Sequence, residues 1–190
     1  MEPQLQEKYT RALESLKGLK GAVVAFSGGV DSTLLLAMAV EALGPKCLAL
    51  TTISPSLPAE EKAEAIALAK RLGATHRLVD SQELQREGFV TNGTDRCFFC
   101  KSELFDWCFD ARDELEYEAV LYGATLDDVG DHRPGMRAAK ERGAKAPLMD
   151  FGFRKDDIRT LSKHLGLPTW DKPAMACLSS RFPYGTTITK

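Results

Sequence analysis

Short apolar runs alternate with amphipathic stretches along most of this chain. Residues 3–18 place Leu5, Tyr9, Leu13 and Leu16 on one side at helical spacing, which predicts an amphipathic helix. The run GAVVAF (21–26) is apolar, contains two β-branched valines and is bounded by Gly21 and by Ser27-Gly28-Gly29, so it predicts a buried strand. A helix is expected from near Asp31 to Gly44-Pro45. Residues 47–53 predict a second strand, and Pro58 opens a helix to about Leu72 that Gly73 closes. Third and fourth strands are expected at 75–80 and 119–125, and a last helix at about 154–165. Strands that are apolar on both faces and alternate with helices predict an α/β fold, a parallel sheet with helices on both faces. The texture changes after Pro147 to one helix and a proline-rich loop, so residues 1–150 are expected to form a nucleotide-type core and 151–190 a substrate-facing segment.

Composition narrows the partners. The 190 residues carry 25 Lys+Arg against 27 Asp+Glu, a net charge of −2, which argues against binding nucleic acid or membranes through bulk charge. No stretch approaches the roughly 18 apolar residues of a membrane helix, and the charged N-terminus has no signal-peptide core, so a cytoplasmic protein is expected. Five cysteines, Cys47, Cys97, Cys100, Cys108 and Cys177, are too few and too unevenly spaced for a disulfide scaffold. They read instead as buried thiols, metal ligands or a nucleophile.

Three segments carry candidate chemistry. Ser27-Gly28-Gly29-Val30-Asp31-Ser32 follows the first strand and opens a helix. Two glycines let the backbone approach a ligand, and the helix N-terminus and the serine hydroxyls complete an anion cradle. Neither G-x-x-x-x-G-K-[ST] nor G-x-G-x-x-G is present, so no lysine of the loop itself reaches a phosphate. The segment from Gly123 to Gly135 lies at the end of the fourth strand and holds Asp127, Asp128, Asp131 and Arg133. It reads either as a ligand-facing cluster or as a solvated loop in which Asp131 caps a helix through 140.

The third segment is the cysteine set. Cys97 and Cys100 form a C-x-x-C that opens a helix, so both sulfurs can face one point. A second C-x-x-C that would complete a zinc site is absent, and a thioredoxin-type redox pair is the alternative. Cys177 lies in a loop between Lys172 and Arg181, whose positive charges would favour a thiolate; the other reading is a small buried thiol. Cys47 and Cys108 are expected to be core residues.

Taken together these motifs resemble a known group. S-G-G-V-D-S (27–32) resembles the pyrophosphate loop of the PP-loop ATPases, which cleave ATP between the α and β phosphates. The likeness implies that Ser27, Gly28, Gly29, Asp31 and Ser32 hold the ATP phosphates, and that the backbone of Ala25, Phe26 and residues 51–53, Thr51 first, borders the adenine. D-D-x-x-D-H-R-P-G (127–135) is similar to the second signature of one branch, with a looser match before Asp127. It implies that Gly123, Asp127 and Asp128 help place Mg²⁺-ATP or its ribose and that Arg133 contacts phosphate or braces the loop. With R-C-F-F-C-K (96–101) and A-C-L-S-S-R-F-P-Y-G (176–185) in order, the chain resembles the LarE-type ATP-dependent sulfur transferases from about residue 15 onward. That implies a Rossmann-like adenine nucleotide alpha hydrolase fold with a five-stranded parallel sheet of order 3-2-1-4-5.

In that family ATP adenylates a carboxylate of a pyridinium dicarboxylate mononucleotide, and a sulfur nucleophile displaces AMP to leave a thiocarboxylate. The resemblance makes Cys177, Lys101, Ser180 and Arg181 the catalytic set. The sulfur is either that of Cys177 itself or a sulfide on a [4Fe–4S] cluster held by Cys97, Cys100 and Cys177. Three cysteines match the cluster kind. Family members usually continue past the position of Lys190, so a truncated chain, a gene fragment or a shortened member is expected, a homo-oligomer if full length. Two rival readings are an amide-forming synthetase of the NAD synthetase type and a non-enzymatic nucleotide-binding remnant.

Overall fold

A computed structural model describes residues 2–129, 134–174 and 177–189. The chain runs through α1 (Pro3–Lys17), β1 (Ala22–Ala25), α2 (Val30–Leu43), β2 (Cys47–Ile53), α3 (Ala59–Arg71), β3 (Thr75–Asp80), α4 (Glu87–Val90), α5 (Arg96–Glu114), β4 (Ala119–Tyr122), α6 (Pro134–Arg142), α7 (Pro147–Asp150) and α8 (Lys155–His164). The strands form one parallel sheet of order β3-β2-β1-β4.

Alternation along β1 explains the layering. Ala22 and Val24 point to one face, where Leu13 and Leu16 of α1, Leu34, Leu35 and Met38 of α2, Leu68 of α3 and Ile158 and Leu161 of α8 are buried together. Val23 and Ala25 point to the other, against Leu104, Phe105 and Cys108 of α5 and Ala138 and Ala139 of α6. Helices thus cover both faces, as expected for strands without a polar side.

The sheet has four strands among the described residues, not the five expected. A fifth begins at Lys145, which bridges Leu121 in parallel, its N–H donating to Val120 at 2.9 Å and its carbonyl accepting from Tyr122 at 3.0 Å. Pro147 lacks an N–H and starts α7, so the pairing stops after this one bridge. The fourth strand also ends at Tyr122, three residues short of expectation, because Gly123 turns against α2.

The sheet order has a consequence for ligands. The chain leaves β1 toward β2 and β3, then returns to the other side of β1 as β4. The carboxyl ends of β1 and β4 therefore flank the switch point, where a crevice opens in sheets of this kind. The glycine loop follows β1 and the acidic segment follows β4, so both expected ligand segments meet there.

Candidate active site

The glycine loop is held by its own hydroxyls. Ser27 Oγ and Ser32 Oγ lie 3.0 Å apart, and Ser32 Oγ donates to the Gly29 carbonyl at 3.2 Å. The Ser27 N–H donates to Ser32 Oγ at 3.3 Å and the Gly29 N–H to Ser27 Oγ at 3.3 Å. Gly28 adopts φ +73, and a Cβ there would stand 3.3 Å from the Cβ of Ala65 in α3, so both its conformation and its packing call for glycine. Gly29 caps α2 with extended backbone, which places Asp31 in the first turn. The loop thus turns the N-terminus of a fourteen-residue helix toward the crevice.

Gly123 closes the other side. A Cβ on it would lie 2.9 Å from the Ser32 nitrogen and 3.0 Å from the Asp31 carbonyl carbon, so β4 can meet the start of α2 only through a glycine. Beyond it, Asp128 is buried and accepts from Thr125 N–H at 2.8 Å and Thr125 Oγ1 at 3.1 Å, closing a capping box. Asp127 is exposed and accepts from the Lys155 N–H at 2.6 Å and from Arg154 Nη1 at 2.9 Å. The backbone N–H of Lys155, with the Arg154 guanidinium beside it, holds the Asp127 carboxyl below the ordinary carboxylate value. Arg133 lies outside the described residues. Pro134-Gly135 packs on the first turn of α5, where a Gly135 Cβ would stand 2.9 Å from Cγ of Lys101.

Sequence reasoning missed a cation in the crevice. Lys155, the first residue of α8, places Nζ 2.6 Å from Asp31 Oδ1 and 2.5 Å from Oδ2. It supplies from 124 residues away the lysine that the loop lacks. No motif signals it; only the packing of α8 beside α2 brings it in. Lys172 was expected near the Cys177 thiol. It is directed elsewhere, 2.6 Å from Glu64 Oε2 and 3.4 Å from the Gly28 carbonyl, because these acceptors lie over the glycine loop.

Thr51, expected near the adenine, is buried and tied into the strand ends. Its hydroxyl donates to the Phe26 carbonyl at 2.7 Å and lies 2.9 Å from His76 Nε2. Burial lowers the His76 pKa, which favours the neutral ring at this contact. Ala25 is buried with its side chain in the α5 face of the core, leaving only its backbone for a ligand.

The cysteines divide by burial, and Cys47 and Cys108 lie in the core as expected. Cys47 and Cys108 are buried and burial pushes both thiols up to about 12. Cys97 and Cys177 are exposed, and Cys100, three residues along α5 from Cys97, is partly exposed. The Cys100 thiol is pushed up to about 12, chiefly by burial, with the charge and hydrogen bond of Glu83 and the charge of Cys177 adding to it and Lys101 opposing. Cys177 therefore lies within electrostatic reach of Cys100 although 77 residues separate them in sequence (177 − 100).

The Cys177 segment is fastened at both ends of that stretch. Lys172 reaches the Gly28 carbonyl, and the Leu178 N–H donates to the Ser56 carbonyl, beyond the end of β2, at 3.0 Å. Residues 178–181 form a short 3-10 turn in which Ser180 Oγ donates to the Cys177 carbonyl at 2.5 Å and stands 3.8 Å from Cys177 Sγ. Ser180, Arg181 and Lys101 are exposed, and neither Arg181 nor Lys101 forms an ion pair among the described residues.

The donor set can be tested against a cluster. Among the described residues no three His, Cys, Asp or Glu side chains stand close enough to hold a single metal ion. A four-iron cluster spaces its thiolates more widely than one ion does, and Cys97, Cys100 and Cys177 are soft thiolate donors of the kind it takes. Their chemistry fits that group, whereas a tetrahedral zinc site would need a fourth ligand.

A parallel α/β sheet whose switch point holds a serine–glycine loop opening a helix defines a nucleotide-binding protein of the PP-loop type. Residues 5–94 match the NAD synthase family. Among solved structures, the NH3-dependent NAD synthetase of Campylobacter jejuni superposes with a TM-score of 0.70 at 18% identity, covering 90% of this chain and 78% of that one. The NMN synthetase of Francisella tularensis does so at 0.67 and 18%, covering 90% and 75%. These likenesses establish the fold.

Among relatives, the pyridinium-3,5-bisthiocarboxylic acid mononucleotide synthase of Lactiplantibacillus plantarum is 38% identical over 97% of this chain and 67% of its own length. An uncharacterized Synechocystis protein, slr1717, is 45% identical over 97% of this chain and 69% of its own. The NH(3)-dependent NAD(+) synthetase of Hyperthermus butylicus is 35% identical over 85% of this chain and 60% of its own. The chain belongs to the family of the pyridinium-3,5-bisthiocarboxylic acid mononucleotide synthases, the LarE-type enzymes. Among the described residues no helix is long and apolar enough to cross a membrane.

Proposed function

We propose that the protein is an AMP-forming, ATP-dependent sulfur transferase acting on a pyridinium dicarboxylate mononucleotide. One observation carries the reading: Lys172 reaches the Gly28 carbonyl of the phosphate loop, Leu178, which adjoins Cys177, is bonded to Ser56 beyond β2, and Cys177 is within electrostatic reach of Cys100. These bonds support a reading in which a sulfur source works beside an anion cradle, an arrangement that amide formation from ammonia does not require.

The reaction has two halves. A carboxylate oxygen of the substrate attacks the α-phosphorus of ATP, and pyrophosphate leaves. Ser27, Gly28, Gly29 and Ser32 cradle the phosphates through backbone N–H groups and hydroxyls at the start of α2. Asp31, with Asp127 and Asp128 across the crevice, offers hard oxygens suited to Mg²⁺, which brings charge neutralisation to the phosphates when bound. Lys155 is placed to exchange its Asp31 partner for a phosphate oxygen. In the second half, sulfur attacks the acyl carbon and AMP departs. In this reading Cys177 serves that step, Ser180 and Arg181, which follow it in the chain, bind the departing or substrate phosphate, and Lys101 holds positive charge next to Cys100. A [4Fe–4S] cluster on Cys97, Cys100 and Cys177 would supply a sulfide at its open iron.

The test is anaerobic incubation with Mg²⁺-ATP and pyridinium-3,5-dicarboxylic acid mononucleotide. AMP, pyrophosphate and a product heavier by the oxygen-to-sulfur exchange are expected. Amide product with ammonium present would establish the synthetase chemistry instead, and absence of AMP would overturn the reading. Iron content of protein purified without oxygen, with the intact mass after turnover, separates the cluster from loss of sulfur by Cys177.

A further inference from the structure

We infer that Arg96 and Asn92 are positioning residues that set the distance between Cys177 and the cysteine pair of α5; the role assigned to these cysteines rests on the sulfur-transfer reading above. Arg96 immediately precedes Cys97 and begins α5. Its side chain is buried, at 4% exposure, yet it forms no ion pair among the described residues. A buried guanidinium is costly unless its donors are used. Its Nη1 uses two: it donates to Asn92 Oδ1 at 2.6 Å and to the Ser179 carbonyl at 2.8 Å. The second bond crosses 83 residues and fastens the carbonyl two positions beyond Cys177.

Asn92 completes the grip. It is fully buried and adopts φ +52, the left-handed region that Asn tolerates better than most residues. Its amide donates to the Pro183 carbonyl at 2.9 Å, and its own carbonyl accepts from the Gly185 N–H at 2.9 Å. Just before it, the Val90 carbonyl accepts from the Ile188 N–H at 2.9 Å. The turn between α4 and α5 therefore holds the whole stretch from Ser179 to Ile188. Of these bonds, only the Arg96 one is made by the residue adjoining Cys97 to the turn adjoining Cys177. A single side chain thus links the segments that carry the two exposed thiols, and it is a charged group that has no ion-pair partner among the described residues.

The experiment reads the thiol spacing directly, without ATP or substrate. Reduced apoprotein is treated with dibromobimane, which becomes strongly fluorescent when both its arms find thiols, and the bridged peptides are mapped by mass spectrometry. The parent chain is expected to bridge Cys177 to Cys100 or Cys97. Arg96→Met should lower that yield by about tenfold, while the rate of single alkylation of exposed Cys177 by monobromobimane holds. Arg96→Lys, which keeps a cationic donor, should restore part of the bridge. Should Arg96→Met lose its cooperative melt, Asn92→Gly decides: glycine accepts the positive φ and keeps the carbonyl for Gly185 but removes the amide bridge. Bridging at the parent yield in a folded Arg96→Met or in Asn92→Gly overturns the proposal. With turnover established, sulfur transfer should fall by about tenfold to a hundredfold in Arg96→Met, the size of loss that about 1 Å of misplacement brings. A chain that bridges as expected but never forms AMP would sink the sulfur-transfer reading and leave the positioning role standing.

Discussion

The serine–glycine loop, the proposed phosphate side, and the cysteine segments, the proposed sulfur side, are built in opposite ways. The phosphate side is assembled mostly from neighbours in sequence: Ser27, Gly28, Gly29 and Ser32 bond to one another across five residues at most. The sulfur side is assembled from two segments about 80 residues apart, 92–101 and 177–188, joined by two buried side chains, Arg96 and Asn92, and a few backbone bonds. Six consecutive residues at a helix start can form a cradle wherever a strand feeds a helix. The approach of Cys177 to α5 depends instead on how residues 177–188 pack against the start of that helix.

The sharpest way to separate the two sides is Cys177→Ala. Sulfur transfer should vanish, with thiocarboxylate below detection by mass spectrometry, while ATP-to-AMP conversion stays measurable. Loss of AMP formation in that variant would mean that the two sides are not separable. The mirror experiment is Asp31→Ala or Ser32→Ala, for which pyrophosphate release should fall by about a hundredfold or more, as for loss of one preorganised charge-stabilising group. Retention of the parental rate would remove the glycine loop from the phosphate role.

Gly123→Ala sharpens the comparison on the structural side, since its Cβ would meet backbone atoms of Ser32 and Asp31 at 2.9–3.0 Å. Overpacking of this kind costs about 1–3 kcal/mol. The melting temperature should drop by about 2–4 °C per kcal/mol for a chain of this size, together with a weaker nucleotide affinity. An unshifted melt would mean that β4 and α2 can move apart freely.

The smallest expected effect concerns acid. The native Asp127 carboxyl is held below its ordinary value by the Lys155 N–H and the Arg154 guanidinium. Such a group contributes stability that is fully present above the unfolded value of about 3.9 and is lost as pH falls through the lowered native value. Asp127→Asn should therefore flatten the acid limb of a urea-midpoint profile below about pH 4 and leave the neutral region nearly unchanged. Because Asp127 is exposed, solvent screens the effect. An acid limb identical to the parent's would show that the ordered α8 start does not need this carboxylate.

Much of the fold was legible in the pattern of apolar residues. Four strands and the helices at 3–17, 30–43, 59–71 and 155–164 follow from local periodicity, and all appear within a few residues of expectation. The fifth strand was not readable from these residues; it came with the family likeness, and Pro147 cuts it to a single bridge. The burial of Cys47 and Cys108 was readable too, because Cys47 opens an apolar strand and Cys108 lies deep in a helix pattern, whereas Cys97 and Cys100 stand at a helix start and Cys177 in a loop. The short turn at 87–90 and the 3-10 turn at 178–181 carry too little periodicity to be read locally.

By itself the sequence determined the parallel sheet, the serine–glycine cradle at its switch point and the identity of the thiols. These depend on residue type and spacing within a few positions, where backbone geometry leaves little choice. Tertiary structure alone decided that Lys155 meets Asp31, that Lys172 turns to Glu64 and Gly28 rather than to Cys177, and that Arg96 reaches Ser179. Each of those contacts spans from 83 to 144 residues. Their partners are chosen by how α8 and the terminal loop pack on the sheet, and no local period records which of several exposed lysines and arginines that packing will bring into the crevice.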